Sequence, residues 1–94
     1  MNSEWKNEGH GYFSMVAKNS YGYTVAYLAL PSRHPLAFVP HVLSDERYAP
    51  DVHGGITFCR ANIVGWDYQH GWETGLENPR IDIEKAMNHY RKLQ

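Results

Sequence analysis

The chain has 94 residues, 43% of them hydrophobic, and a formal net charge of -1. This size suits a single domain over residues 1–94 with one core. The near-neutral charge supplies no basic surface for duplex nucleic acid or an anionic membrane. Cys59 is the only cysteine, so no internal disulfide can form, and no stretch resembles a membrane span. We therefore expect a soluble cytoplasmic protein with neither of those partners.

The first half of the chain predicts a β-hairpin. Residues 1–10 are polar apart from Trp5 and predict only a turn of helix or an irregular lead-in. Residues 12–17 and 23–30 are rich in aromatic and β-branched residues, and the turn-forming segment 19–22 separates them. Both faces of the second run are fairly apolar, as in a central strand that a helix covers on one side.

The second half predicts a long loop, two strands and a helix. Several prolines interrupt residues 32–50, which favours an ordered loop of the kind that often carries function. Residues 51–59 and 62–70 then read as neighbouring strands. Asn78 or Asp82 can cap the final helix and Pro79 suits its first turn. Its apolar stripe at helical spacing consists of Ile83, Ala86, Met87 and Tyr90.

Together these elements predict a small α+β domain. We expect an antiparallel sheet of about four strands, one C-terminal helix packed across it, and long loops gathered at one end. A single helix layer leaves one sheet face uncovered. We therefore expect a homodimer or a higher homo-oligomer that buries this face.

The last two predicted strands carry the candidate binding site. If they are neighbours, His53, Asp67 and His70 can converge. Gly54 and Gly55 can bring backbone N–H groups to a phosphate, and the nearby aromatic residues can stack on a base. Each motif also has a purely structural explanation: a glycine turn, a carboxylate that caps it, and aromatic side chains that belong to the core. The candidate ligand-binding residues are His34, His53, Gly54, Gly55, Thr57, Trp66, Asp67 and His70.

Metal binding and catalysis are the competing interpretations of this site. His34, His53, Asp67 and His70 form a ligand set that suits zinc, but their spacing matches no standard zinc signature. We therefore rank hydrogen-bonded ligand recognition above metal binding and expect no cofactor. His53 or His70, oriented by Asp67, can act as the general base of a small hydrolase. Cys59 lies inside a predicted strand, where an inert buried thiol is usual. Enzymatic activity stays open, and binding is favoured.

Five short motifs follow one another along most of the chain. They are Gly22-Tyr23, Ala26-Tyr27-Leu28-Ala29-Leu30-Pro31, His34-Pro35-Leu36, Val52-His53-Gly54-Gly55-Ile56-Thr57-Phe58 and Gly65-Trp66-Asp67-Tyr68-Gln69-His70. Their order and spacing resemble a family of small, mostly uncharacterised bacteriophage proteins, familiar above all from phages of actinobacteria. The chain departs from that family by having Tyr68 where cysteine is usual and a shorter loop between His34 and His53. The resemblance implies a phage origin and a compact fold, without an agreed activity.

A phage origin and this residue set predict a counter-defence binding protein in the host cytoplasm. The histidine, glycine and aromatic residues favour sequestration of a nucleotide-like immune signalling molecule. Small size and phage origin alone favour the alternative, an inhibitor of anti-CRISPR type that blocks a host defence protein. A metal-dependent or histidine-dependent hydrolase is the third hypothesis.

Overall fold

The computed structural model describes residues 4–68 and 78–94 and has the predicted α+β architecture. One antiparallel sheet of five strands, in the order β1-β2-β3-β5-β4, packs against one helix. The sheet therefore has one strand more than expected. No helix in the described ranges is long and apolar enough to cross a membrane. The elements are β1 (Lys6–Gly9), β2 (Tyr12–Lys18), β3 (Thr24–Ala29), β4 (Phe58–Arg60), β5 (Ile63–Tyr68) and α1 (Pro79–Arg91).

The additional strand, β1, is a polar edge strand where the sequence predicts no strand. It pairs with β2 through a bulge between Asn7 and Gly9. The bulge places the Glu8 carboxylate beside the Ser14 hydroxyl, which donates a hydrogen bond to it, and beside both terminal nitrogens of Arg80. Since an ion pair holds this strand to α1, β1 needs no alternation of apolar residues.

The segment predicted as a strand over residues 51–59 forms a strand only at its end. Gly55 donates its backbone N–H to the carbonyl of Val52 at 2.9 Å, which closes a four-residue turn. Gly54 has φ 71°, as the third position of a type II turn requires, and this conformation favours glycine. Regular pairing with β5 is confined to Phe58–Arg60.

The core lies between one face of the sheet and a layer made by α1 and the 31–57 segment. The strand register places Leu28 between Ser14 and Val64 on this face. From α1, Ile83, Ala86 and Tyr90 are buried, as their helical spacing predicts. The largest fully buried side chains are Trp66, Tyr12, Tyr90, Leu28, Leu30, Leu43, Ile83 and Val64.

The start of α1 is set by its cap and its first residues. The Asn78 side chain accepts a hydrogen bond from the Arg80 N–H at 2.9 Å, and Pro79 occupies the first helical position. Asn78 is therefore the cap. Asp82, the other candidate, lies one turn later and is buried with 9% of its surface exposed.

Candidate functional site

A cavity of about 440 Å³ lies between residues 51–54 and the first two turns of α1. Its volume is within the range of pockets that hold small ligands. It contains two of the residues that the sequence predicts as ligand-binding, His53 and Gly54. The other lining residues are Asp51, Val52, Asn78, Ile81, Asp82 and Lys85.

The buried carboxylate of Asp82 lies in the wall of this cavity and is held by two donors. Its Oδ2 atom accepts a hydrogen bond from the Tyr68 hydroxyl at 2.5 Å and one from the backbone N–H of His53 at 3.4 Å. The Tyr68 oxygen in turn accepts from the indole Nε1–H of Trp66 at 2.9 Å. Burial of a carboxylate is costly without such donors. The chain of hydrogen bonds therefore fixes the carboxylate in place and connects it to the core.

The imidazole of His53 is fixed by stacking on Tyr68. The two ring centroids are 4.9 Å apart and the planes differ by 12°. Tyr68 is the last residue of β5, and its side chain points toward α1. The end of β5 therefore positions both the hydroxyl that binds Asp82 and the ring that supports His53.

The glycine turn uses one of the two backbone donors of the phosphate cradle that the sequence suggests. Of its backbone N–H groups, that of His53 is bonded to Asp82 and that of Gly55 to Val52. A phosphate in the cavity would also meet the negative charge of Asp82. The turn therefore shapes the cavity wall, the Gly55 N–H is used within it, and Asp82 adds a hydrogen-bond acceptor beside it.

Asp67 and Thr57 lie away from the cavity. Side chains alternate between the two faces of a strand, so Asp67 points to the face opposite Trp66 and Tyr68. Its Oδ2 atom is 3.5 Å from the hydroxyl of Thr57. The structure therefore does not bring Asp67 together with His53, which stacks on the helix-facing Tyr68.

Two other candidate residues have structural roles. Trp66 is 1% exposed and packs in the core, so its ring offers no surface for a base. His34 is 3% exposed; its Nδ1 accepts from the Leu36 N–H at 3.0 Å, and its Nε2 contacts the carbonyl of Tyr90 at 2.8 Å. Because Nδ1 is the acceptor, Nε2 carries the proton, and its N–H donates a hydrogen bond to the backbone carbonyl of Tyr90. Both ring nitrogens thus bind the protein itself.

The predicted metal ligands do not assemble within the described part of the chain. Among residues 4–68 and 78–94, no group of three or more His, Cys, Asp or Glu side chains is placed to hold a metal ion. The His34 ring contacts Leu36 and Tyr90 in the core, and the Asp67 carboxylate lies near Thr57 on the opposite face of the sheet. His70 lies outside the described residues.

The sequence reading missed Asp82 and Lys85 as site residues. Asp82 has a detectable signal, because it lies four residues before Ala86 and eight before Tyr90 on the same stripe of α1. A carboxylate on the buried stripe of a helix requires partners and is a candidate site residue. Lys85 is half exposed at the cavity rim, with Nζ 4.0 Å from Asp51 Oδ2, and has no comparable signal.

The cavity therefore combines an acceptor in its wall, an apolar side chain and a cation at its rim. Asp82 can accept hydrogen bonds from a ligand's N–H or O–H groups. Ile81 is 54% exposed and supplies apolar contact. Searches of protein families, curated proteins and solved structures give no match to this chain. The function must therefore be argued from the site.

Proposed function

We propose that this protein is a phage-encoded counter-defence binding protein that sequesters a nucleotide-like signalling molecule in the cavity beside Asp82. The observation that carries the proposal is the buried, hydrogen-bonded carboxylate in the wall of a cavity of ligand size. The ligand class follows from the chemistry of that cavity. The phage context follows from the sequence resemblance alone.

The geometry favours recognition of the nucleobase over recognition of the phosphate. A carboxylate accepts from ring and exocyclic N–H groups of a base, and hydrogen bonds to an ionised acceptor are stronger than neutral ones. The same carboxylate repels a phosphate. Lys85, whose side chain is 51% exposed at the rim, can meet a phosphate that projects out of the cavity.

The version of the hydrolase alternative that uses His53 as general base loses support from the same geometry; the version that uses His70 lies outside the described residues. The His53 version requires Asp67 to orient the imidazole that acts as general base. Asp67 points to the face of the sheet opposite Tyr68, on which His53 stacks. The described residues therefore form a binding cavity in which no imidazole is oriented by Asp67.

Calorimetric titration with guanosine, adenosine and sodium phosphate tests the proposal. We expect at least one nucleoside to bind and phosphate alone not to bind. Ile81→Trp places a large side chain at the cavity and should weaken nucleoside binding at least tenfold. Asn88→Trp, two turns further along α1 at an exposed position outside the cavity, is the matched control and should bind like the wild type.

Two results would overturn the proposal. One is binding of phosphate alone with an affinity equal to that of the nucleosides. The other is unchanged nucleoside binding by a folded Ile81→Trp variant. Native mass spectrometry of protein purified from cells, before and after denaturation, complements the titration. A sequestering protein should release a nucleotide-sized adduct intact, and Ile81→Trp should carry less of it.

A further inference from the structure

The sheet face opposite α1 is mainly apolar, and we call it the open face. The strand register arranges its side chains in three rows that cross the strands. Phe13 and Phe58 on this face are 40% and 41% exposed. The first row is Phe13, Ala29, Ile63 and Arg60; the middle row is Met15, Tyr27, Gly65 and Phe58; the third row is Ala17, Val25 and Asp67.

The middle row has a rigid aromatic centre. The Tyr27 ring lies over Gly65 so closely that a Cβ atom there would be 2.8 Å from the ring. Tyr27 also meets Phe58 edge to face, with 5.6 Å between ring centroids. Aromatic side chains held in this way lose little conformational entropy on binding and are typical of the centre of protein interfaces.

The two charges of the open face lie at opposite ends of it. Arg60 belongs to the first row and Asp67 to the third, about 13 Å apart along the strands at roughly 3.3 Å per residue. Neither makes an ion pair with another residue in the described ranges. A face with one positive and one negative end is complementary to a copy of itself turned end for end.

We infer that the open face is the interface of a homodimer, with the two-fold axis running along the middle row. This symmetry places the first row of each subunit over the third row of the other. Ile63 then lies over Asp67 of the partner subunit, and Arg60, one strand to the side, can reach the same carboxylate with its long side chain; the reciprocal pair forms at the other end. The proposal concerns the face opposite the cavity and does not depend on the proposed function.

Side-chain size is complementary at two positions of the outer rows in the same arrangement. Phe13 comes over Ala17 of the partner subunit, and Ala29 comes over Val25 of the partner subunit. At these two positions a larger side chain faces a smaller one, as close packing between two sheets about 10 Å apart requires. In the middle row each side chain faces its own copy, so Tyr27 lies over Tyr27 of the partner subunit. Edge-to-edge pairing is a poorer alternative, because β4 has only three residues and β1 contains a bulge.

The size of the open face predicts a dimer of low affinity. Four strands about 4.8 Å apart and five residues long give a patch of roughly 300 Å² in projection. Side chains that stand above the sheet raise its accessible surface to roughly 500 Å², below the roughly 800 Å² that each partner contributes to a standard interface. Two such faces bury about 1,000 Å², at the lower end for specific interfaces. We therefore expect a weak, reversible dimer, as is typical of interfaces of this size.

Sedimentation equilibrium from about 1 µM to 1 mM tests the inference. The mass should rise from the monomer value of 10.9 kDa toward twice that value. Phe13→Glu should weaken dimerisation more than tenfold. Arg60→Asp and Asp67→Arg should each do the same, because like charges then face each other, and the double variant should recover dimerisation to within about threefold. Lys92→Asp, at the C-cap of α1 and away from the face, is the charge-matched control and should dimerise like the wild type.

A mass that stays at 10.9 kDa up to 1 mM would overturn the inference and leave a different protein as the partner of this face. Failure of the double charge reversal to recover dimerisation would overturn the proposed symmetry. Circular dichroism of each variant establishes that a monomeric variant is still folded. Nucleoside binding by monomeric Phe13→Glu would show that the cavity acts independently of the dimer.

Discussion

The ion pair that holds β1 to α1 makes a strong prediction about stability. The Glu8 side chain is 4% exposed and accepts hydrogen bonds from Ser14 and from Arg80, whose side chain is 39% exposed. These contacts, the Arg80 hydrogen bond above all, lower the pKa of Glu8 from 4.5 to about 2. The folded state therefore gains stability above pH 4.5 and loses it as the pH falls toward 2.

The magnitude follows from the size of this pKa shift. A depression of this size corresponds to about 3 kcal/mol, and solvent screening at the exposed guanidinium reduces it to about 1–2 kcal/mol. We expect Glu8→Gln to lower the free energy of unfolding by that amount at pH 7. The loss should shrink below pH 4.5 and vanish near pH 2, where wild-type Glu8 is itself being protonated.

Urea unfolding followed by circular dichroism at pH 7, 5, 3 and 2 measures this difference. Glu84→Gln is the matched control, because Glu84 also faces Arg80 but lies 3.7 Å away with its side chain 59% exposed. It should change the free energy of unfolding by less than about 0.5 kcal/mol. An equal loss for Glu8→Gln at pH 7 and pH 2, or no loss at pH 7, would refute the assigned role of the ion pair.

Three further substitutions test the described hydrogen bonds and one turn, each by urea unfolding at pH 7. Tyr68→Phe removes a donor from buried Asp82 and should cost about 2–3 kcal/mol; a neutral result would contradict the hydrogen-bond chain. His34→Leu leaves the Tyr90 carbonyl without its imidazole donor and should lower the free energy of unfolding by about 2–4 kcal/mol. An unchanged free energy of unfolding would contradict this structural role of His34. Ala61→Gly, at φ 56° in the β4–β5 turn, should raise the free energy of unfolding by up to about 1 kcal/mol, and destabilisation would count against a left-handed residue there.

The elements with local signals could be predicted from the sequence. The Asn78-Pro79 pair and the apolar stripe through Ile83 identify α1 without tertiary information. The β2–β3 hairpin follows from two aromatic-rich runs with a turn between them. β1 has no such signal, because its inward side chain is the carboxylate of Glu8. Its partner Arg80 is 72 residues away.

The site was only partly predictable because its members depend on which face each strand residue occupies. Trp66 and Tyr68 alternate with Asp67, so a strand must place the aromatic side chains and this carboxylate on opposite faces. From this alternation alone, the sequence could have placed Asp67 in a different site from Trp66 and Tyr68. The role of His34 could not be read locally, because its partner Tyr90 is 56 residues away. The position of Asp82 on the buried stripe of α1 is visible in the sequence, but its partner Tyr68, on β5, is not.

The central claim is that a ligand binds in the cavity at the Asp82 carboxylate. The most direct measurement is the ¹⁵N–¹H resonance of the Trp66 indole during titration with guanosine, adenosine and, separately, sodium phosphate. The indole N–H reaches Asp82 through the Tyr68 hydroxyl, so a ligand that binds this carboxylate should shift the resonance in a saturable way. We predict that at least one nucleoside shifts the Trp66 resonance in the wild type and that phosphate does not. In Ile81→Trp the same nucleoside should leave the Trp66 resonance unshifted. An indole resonance that does not move with either nucleoside, or that moves equally with phosphate, would contradict the account.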